Sequence, residues 1–182
     1  VHAHDDHDHS GADGHVWLDP TNATALSAAI AEALSEKDPA NAERYLANHA
    51  EQKAALEALD AEIAESLAAV QDVPFLVFHD AYQYAEKRYG LNGVGSVTVS
   101  PEVAPGAARV RAIQERLATH SVACVFAEPQ FEPRILEVIT EGTQTRSGIL
   151  DPVGAEIEPG ADMYAQLMRN LAGALTGCLA AS

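Results

Sequence analysis

Basic residues are scarce: 11 lysines and arginines stand against 27 aspartates and glutamates, leaving a formal charge of −16. A surface this acidic repels phosphate backbones and anionic lipid, so nucleic acid and membrane headgroups are disfavoured and cations become the natural ligand. No stretch approaches the ~20 apolar residues needed to span a bilayer. Trp17 and the five tyrosines are not interleaved with bases, so no stacking platform for single strands emerges. Walker-type loops, Gly-x-Ser-x-Gly elbows and His-Glu-x-x-His helices are all missing. Cysteine is limited to Cys124 and Cys178, which sit in no reactive signature and suit either two buried thiols or one disulfide.

What is present is ordinary for a globular protein, with 47% apolar and 21% charged residues over 182 positions. That length holds one domain with a real core, or one domain and part of another. With no secretory leader at its start, the chain is expected to be either a mature product or a piece of something longer, and the charged tract that follows Val1 favours the piece. Residues 1 to 14 are of low complexity, with His2, His4, His7 and His9 among aspartates. Such a tract cannot offset its ordering entropy by burial, and it is expected to be a mobile metal-collecting loop.

Regular structure follows. Asp19 is a candidate cap and Pro20 fits the first position of a helix in which Leu26, Ile30 and Leu34 recur, ending at Lys37-Asp38-Pro39. From Pro39 to Val70 there is no further proline or glycine, and Leu56, Leu59, Ile63, Leu67 and Val70 keep helical steps. One helix over that span would be about 48 Å long, which suits a rigid strut between lobes. Strands and helices then alternate: strand 73–78, helix from Ala81 through Tyr82–Tyr89, extended run 93–100, helix 107–119, strand 121–127, helix 133–142, strand 145–150 and a last helix from Asp162. This pattern predicts a four-stranded parallel sheet with right-handed crossovers.

The carboxyl edge of such a sheet collects His79, Glu128 and Asp151. Each has a plainer reading: His79 as a core histidine, Glu128 as a loop anchor, Asp151 as a turn residue before Pro152, and Asp80 as the cap of the next helix. His15, in His15-Val16-Trp17-Leu18-Asp19-Pro20, is the counterpart of His79, and the pair is expected to face each other from two lobes.

Taken together, His15-Val16-Trp17-Leu18-Asp19-Pro20 behind a His/Asp-rich loop, Phe78-His79-Asp80-Ala81-Tyr82, Phe126-Ala127-Glu128-Pro129-Gln130-Phe131 and Leu150-Asp151-Pro152-Val153-Gly154 resemble the zinc-binding solute receptors of bacterial ABC uptake systems, of the ZnuA type. The resemblance covers essentially the whole chain. It implies an α/β fold of two lobes joined by a rigid helix, with residues 1–38 as the tail of an amino-terminal lobe, 39–70 as the strut and 71–182 as the carboxy-terminal lobe. It implies His15 and His79 as two of three histidine ligands to a transported zinc ion, Asp151 as a carboxylate near the metal, and a disulfide between Cys124 and Cys178. The first family histidine belongs to a part of that lobe that these residues do not include.

The implied function is non-catalytic zinc capture in the periplasm and delivery to an inner-membrane ABC permease, by a monomer. Imidazole ligands favour zinc, whereas an oxygen-rich set would favour the manganese or iron receptors of the same fold. A zinc hydrolase with an open coordination position is the alternative from another class; it would need Glu128 or Asp151 as a base.

Overall fold

The computed structural model describes residues 13–98, 105–130 and 134–180. His2, His4, His7 and His9, and with them the metal-collecting loop, lie outside the described residues.

After a single 3-10 turn at Val16–Leu18, Asp19 caps α1 (Pro20–Lys37), accepting from the Thr21 amide at 2.8 Å, with Pro20 at the first helical position as its fixed φ favours. α1 lies along α2 (Ala42–Leu67), and a second 3-10 turn at Pro39–Asn41 joins them. The unbroken helix therefore starts at Ala42, three residues later than its sequence pattern implies. Pro39 supplies the start of the turn, and at 26 residues α2 is about 39 Å long. Its carboxy-terminal half buries Leu56, Leu59, Ile63 and Leu67 against α6 (Met163–Leu179), which answers with Leu167, Met168, Leu171, Leu175 and Leu179. The apolar stripe of α1 behaves differently: Leu26, Ile30 and Leu34 are 57%, 50% and 43% exposed.

The sheet is the expected parallel one, built from β1 (Phe75–His79), β2 (Gly93–Thr98), β3 (Cys124–Ala127) and β4 (Arg146–Ile149) in the order β2-β1-β3-β4. The crossover helices are α3 (Gln83–Tyr89), α4 (Ala107–Thr119) and α5 (Arg134–Thr140). Because strand side chains alternate, Phe75, Val77, Cys124 and Phe126 enter the core shared with α2 and α6. Leu76, Phe78, Val97, Val125 and Ala127 enter a second core that includes Ile113 and Leu117 of α4 and Leu136 and Ile139 of α5. Cys124 and Cys178 form the disulfide that the resemblance implies, joining β3 to the last turn of α6 across the first core.

One boundary in this region needs correction. The helix after His79 begins at Gln83 with Tyr82 in the cap position, so Asp80 is not its cap; the residues between form a bend and a short irregular connection.

Candidate metal centre

β1 lies between β2 and β3, so the chain leaves it first to one side and later to the other. A crevice opens beyond the carboxyl ends of neighbouring parallel strands at such a reversal, and it is the usual ligand position in open α/β sheets. His79 is the last residue of β1 and Glu128 the first after β3, and both occupy this point. Their parity carries on from Val77 and Phe126, so both side chains leave the same face of the sheet. His79 Nδ1 stands 2.6 Å from Glu128 Oε1, whose carboxylate is 1% exposed. The Tyr82 hydroxyl donates to the same Oε1 and to the Leu150 carbonyl, each at 3.3 Å. Burial, together with the neighbouring Glu128 charge, pushes the Tyr82 phenol far above its ordinary range, so it stays a donor.

His15 arrives from the other end of the chain on the turn that precedes α1. That turn is tied to the sheet-bearing half by direct bonds: Trp17 Nε1 donates to the Pro152 carbonyl at 2.8 Å, and the Tyr164 hydroxyl donates to the Trp17 carbonyl at 2.8 Å. Leu18 is fully buried in the first core. α6, the loop after β4 and α3 thus hold the turn that carries His15. Asp13 completes the arrangement, its Oδ1 standing 2.6 Å from His15 Nδ1 and accepting from the His15 amide at 3.0 Å. Burial pushes the Asp13 carboxyl up, but the hydrogen bonds from His15 and Gln83 outweigh it and leave the group below its usual range.

The two imidazoles meet with their Nε2 atoms 3.5 Å apart and their rings inclined at 62°. A carboxylate against each Nδ1 selects the tautomer protonated there, which leaves the Nε2 lone pair as the donor atom. Two lone pairs aimed at one another repel unless a cation lies between them. Two nitrogens bound to one zinc at ~2.0–2.1 Å in a tetrahedron are separated by ~3.3–3.4 Å, close to the separation seen here. The residues present thus fit an imidazole-binding metal on two of its coordination positions.

Asp151 behaves otherwise. Its Oδ1 accepts from the Val153 and Gly154 amides at 3.1 and 3.0 Å and from Gln130 Nε2 at 3.1 Å, while Oδ2 accepts from the Ala155 amide at 2.6 Å. Those four donors shape the loop between β4 and α6, the turn role open to an aspartate before proline. Among the described residues, no three metal-type side chains converge on one point.

Residues 1–178 match the family described as zinc-uptake complex component A, periplasmic. The chain belongs to the ZnuA family. It is 50% identical over 167 residues to the high-affinity zinc uptake system protein ZnuA of Brucella abortus strain 2308, covering 92% of this chain and 50% of that relative. A crystal structure of ZnuA superposes with a TM-score of 0.79 at 28% identity, covering 92% of this chain and 60% of that one. A ZnuA deletion mutant with zinc bound does so at 0.78 and 27%, covering 95% and 63%. The chain spans about half the length of the curated ZnuA relatives it matches.

Within this ZnuA-family chain the structure brings the two histidines together, and what holds them is not evident from the sequence. Glu128 reads from the sequence as a loop anchor or a hydrolytic base, yet it braces His79; the signal is its place directly after the strand that neighbours β1. Asp13 lies two residues before His15, a spacing at which an aspartate readily bonds a nearby amide, but it was absorbed into the low-complexity tract. The contact from Gln83 to Asp13 spans 70 residues and left no local signal.

Proposed function

We propose that this chain forms the metal-holding portion of a periplasmic zinc receptor that captures Zn²⁺ and delivers it to an ABC permease of the inner membrane. The observation that carries this reading is the pair of Nε2 atoms at 3.5 Å, each imidazole backed by a carboxylate on its other nitrogen. Such backing fixes the tautomer and raises ligand basicity. His15 and His79 are the ligands we assign. The other positions are filled by a third histidine from a lobe that the longer ZnuA relatives have room for, and by water or a carboxylate. Asp151 stands near the metal as a loop former. His2, His4, His7 and His9 act as weak accessory collectors.

The domain division follows the same reading: residues 1–38 are the tail of an amino-terminal lobe, 39–70 the strut and 71–182 the carboxy-terminal lobe. The half-length match and the exposed stripe of Leu26, Ile30 and Leu34, a face suited to burial against further chain, support it. The receptor acts as a monomer and performs no chemistry on its cargo. A hydrolytic base would need a carboxylate oriented to a bound water, whereas Glu128 backs His79 and Asp151 is held by its loop.

X-ray absorption at the zinc edge tests the assignment. At least two imidazole nitrogens at ~2.0–2.1 Å are expected, and an all-oxygen shell would overturn it. Esterase and peptidase assays of the zinc-loaded chain should show no turnover, and metal-dependent turnover lost in Glu128→Gln would favour the hydrolase.

A further inference from the structure

Gln83 opens α3, on the surface, where a glutamine side chain ordinarily points into water. Here its Nε2 donates to Asp13 Oδ2 at 2.7 Å, while Asp13 Oδ1 holds both the ring Nδ1 and the backbone amide of His15. The next side chain, Tyr84, donates its hydroxyl to the Asp13 carbonyl at 3.2 Å, so the first turn of α3 grips Asp13 by side chain and backbone together. α3 begins four residues after His79. One short stretch therefore carries the first imidazole directly and the second through a single carboxylate.

We propose that Gln83 is a positioning residue for metal binding, which through Asp13 sets the separation and tilt of His15 relative to His79. The proposal rests on the reading that His15 and His79 bind zinc. The physical case is one of orientation. Oδ2 of Asp13 is an acceptor, so it is the amide nitrogen of Gln83 that faces it and its carbonyl that points away. With both oxygens engaged on opposite sides, the carboxylate cannot rotate about its χ angles without losing one partner. The imidazole bound to it then inherits that restriction. Without the Gln83 donor, Tyr84 still holds the Asp13 backbone, but the carboxylate is fixed chiefly by the histidine it is meant to orient. Trp17, anchored at Pro152, would become the pivot of a ring free to swing. A misdirected lone pair must be re-ordered at each binding event, which weakens the site without altering its ligands.

The test is a double-mutant cycle on the 182-residue chain, with zinc affinity read by competition against a chelator. Q83E places a carboxylate against a carboxylate and should weaken binding by at least about tenfold, in the range seen when partners of metal ligands are lost. D13N should weaken it comparably. In the D13N background the pair is reversed, because the amide introduced at position 13 donates to the carboxylate introduced at 83. There Q83E should cost less than about twofold or tighten binding, which is non-additive coupling of the expected sign. The Co²⁺ visible spectrum should follow, changing with Q83E in the parent background and hardly at all with Q83E in the D13N background.

Equal cost of Q83E in both backgrounds, or no cost in either, would overturn the role given to Gln83. So would thermal melts of the metal-free variants that fall in step with affinity, because a merely structural contact behaves that way. H79A separates the two levels. If H79A removes binding while Q83E does nothing, only the positioning role is lost; if H79A leaves affinity unchanged, the histidine site and this proposal fall together.

Discussion

Trp17 donates its indole N–H to the carbonyl of Pro152, 135 residues further along the chain, at 2.8 Å. This bond and the return bond from Tyr164 clamp the turn bearing His15 onto the lobe that bears His79. W17F keeps most of the ring and removes the donor. A hydrogen bond contributing about 0.5–1.5 kcal/mol, if it serves wholly to order that turn, corresponds to about 2–12-fold in zinc affinity. Calorimetric titration checks this, and an unchanged affinity would show that the turn is held without Trp17.

Glu128 should matter more. It is buried beneath His79 and shares Tyr82 with the Leu150 carbonyl, so its loss loosens a ligand and leaves the Tyr82 hydroxyl with the Leu150 carbonyl alone. We expect E128A to weaken zinc binding by about 10–100-fold. E128Q, which keeps an acceptor of the same shape, should fall between E128A and the parent. Chelator competition on the three proteins reads the order.

The disulfide closes a loop of 54 residues between β3 and α6. Replacing both cysteines by alanine should lower stability by about 2–4 kcal/mol in the chain-entropy picture. Urea denaturation at fixed pH measures it. Zinc affinity should hold, because neither cysteine touches His15, His79 or their carboxylates.

Glu86 gives the fold a pH signature. Its carboxyl lies over Gly93, where any Cβ would collide with it. Burial, reinforced by the Asp80 charge, pushes it from 4.5 up to about 7. A carboxyl raised on folding binds its proton more tightly in the folded state, so its contribution is fully present below about 4.5 and lost as pH rises through about 7. Stability should decline across that window by roughly 3 kcal/mol. E86Q should abolish the decline and be the more stable protein at pH 8. Denaturation curves at stepped pH decide, and an identical slope in E86Q would reject the assignment.

How much of this was legible in the sequence differs by feature. The alternation of short apolar strands with helices predicts the parallel sheet because burial on both faces of a parallel strand forces apolar runs such as Phe75 to Phe78, and the sheet is there. The cap at Asp19 and Pro20 is a local chemical signal and reads directly. Boundaries slip where competing signals overlap: Pro39 starts a separate 3-10 turn ahead of α2, and the helix after His79 begins at Gln83 and not at Ala81. In the site, the imidazoles stand out by type, whereas Tyr82, Gln83 and Tyr84 act through contacts of 46 to 71 residues in separation, which no periodicity encodes. The exposure of Leu26, Ile30 and Leu34 was equally hidden, because helical spacing shows that a face is apolar and not what covers it.

The central claim is that His15 and His79 form a preorganised pair that holds zinc. The direct measurement is competition titration of the 182-residue chain with Zn²⁺ against a chelator of known affinity, alongside H15A and H79A. We expect one tight site per chain that each single substitution weakens by at least about 100-fold, more than loss of a ligand's partner would cost. A tight site that survives either substitution would contradict it.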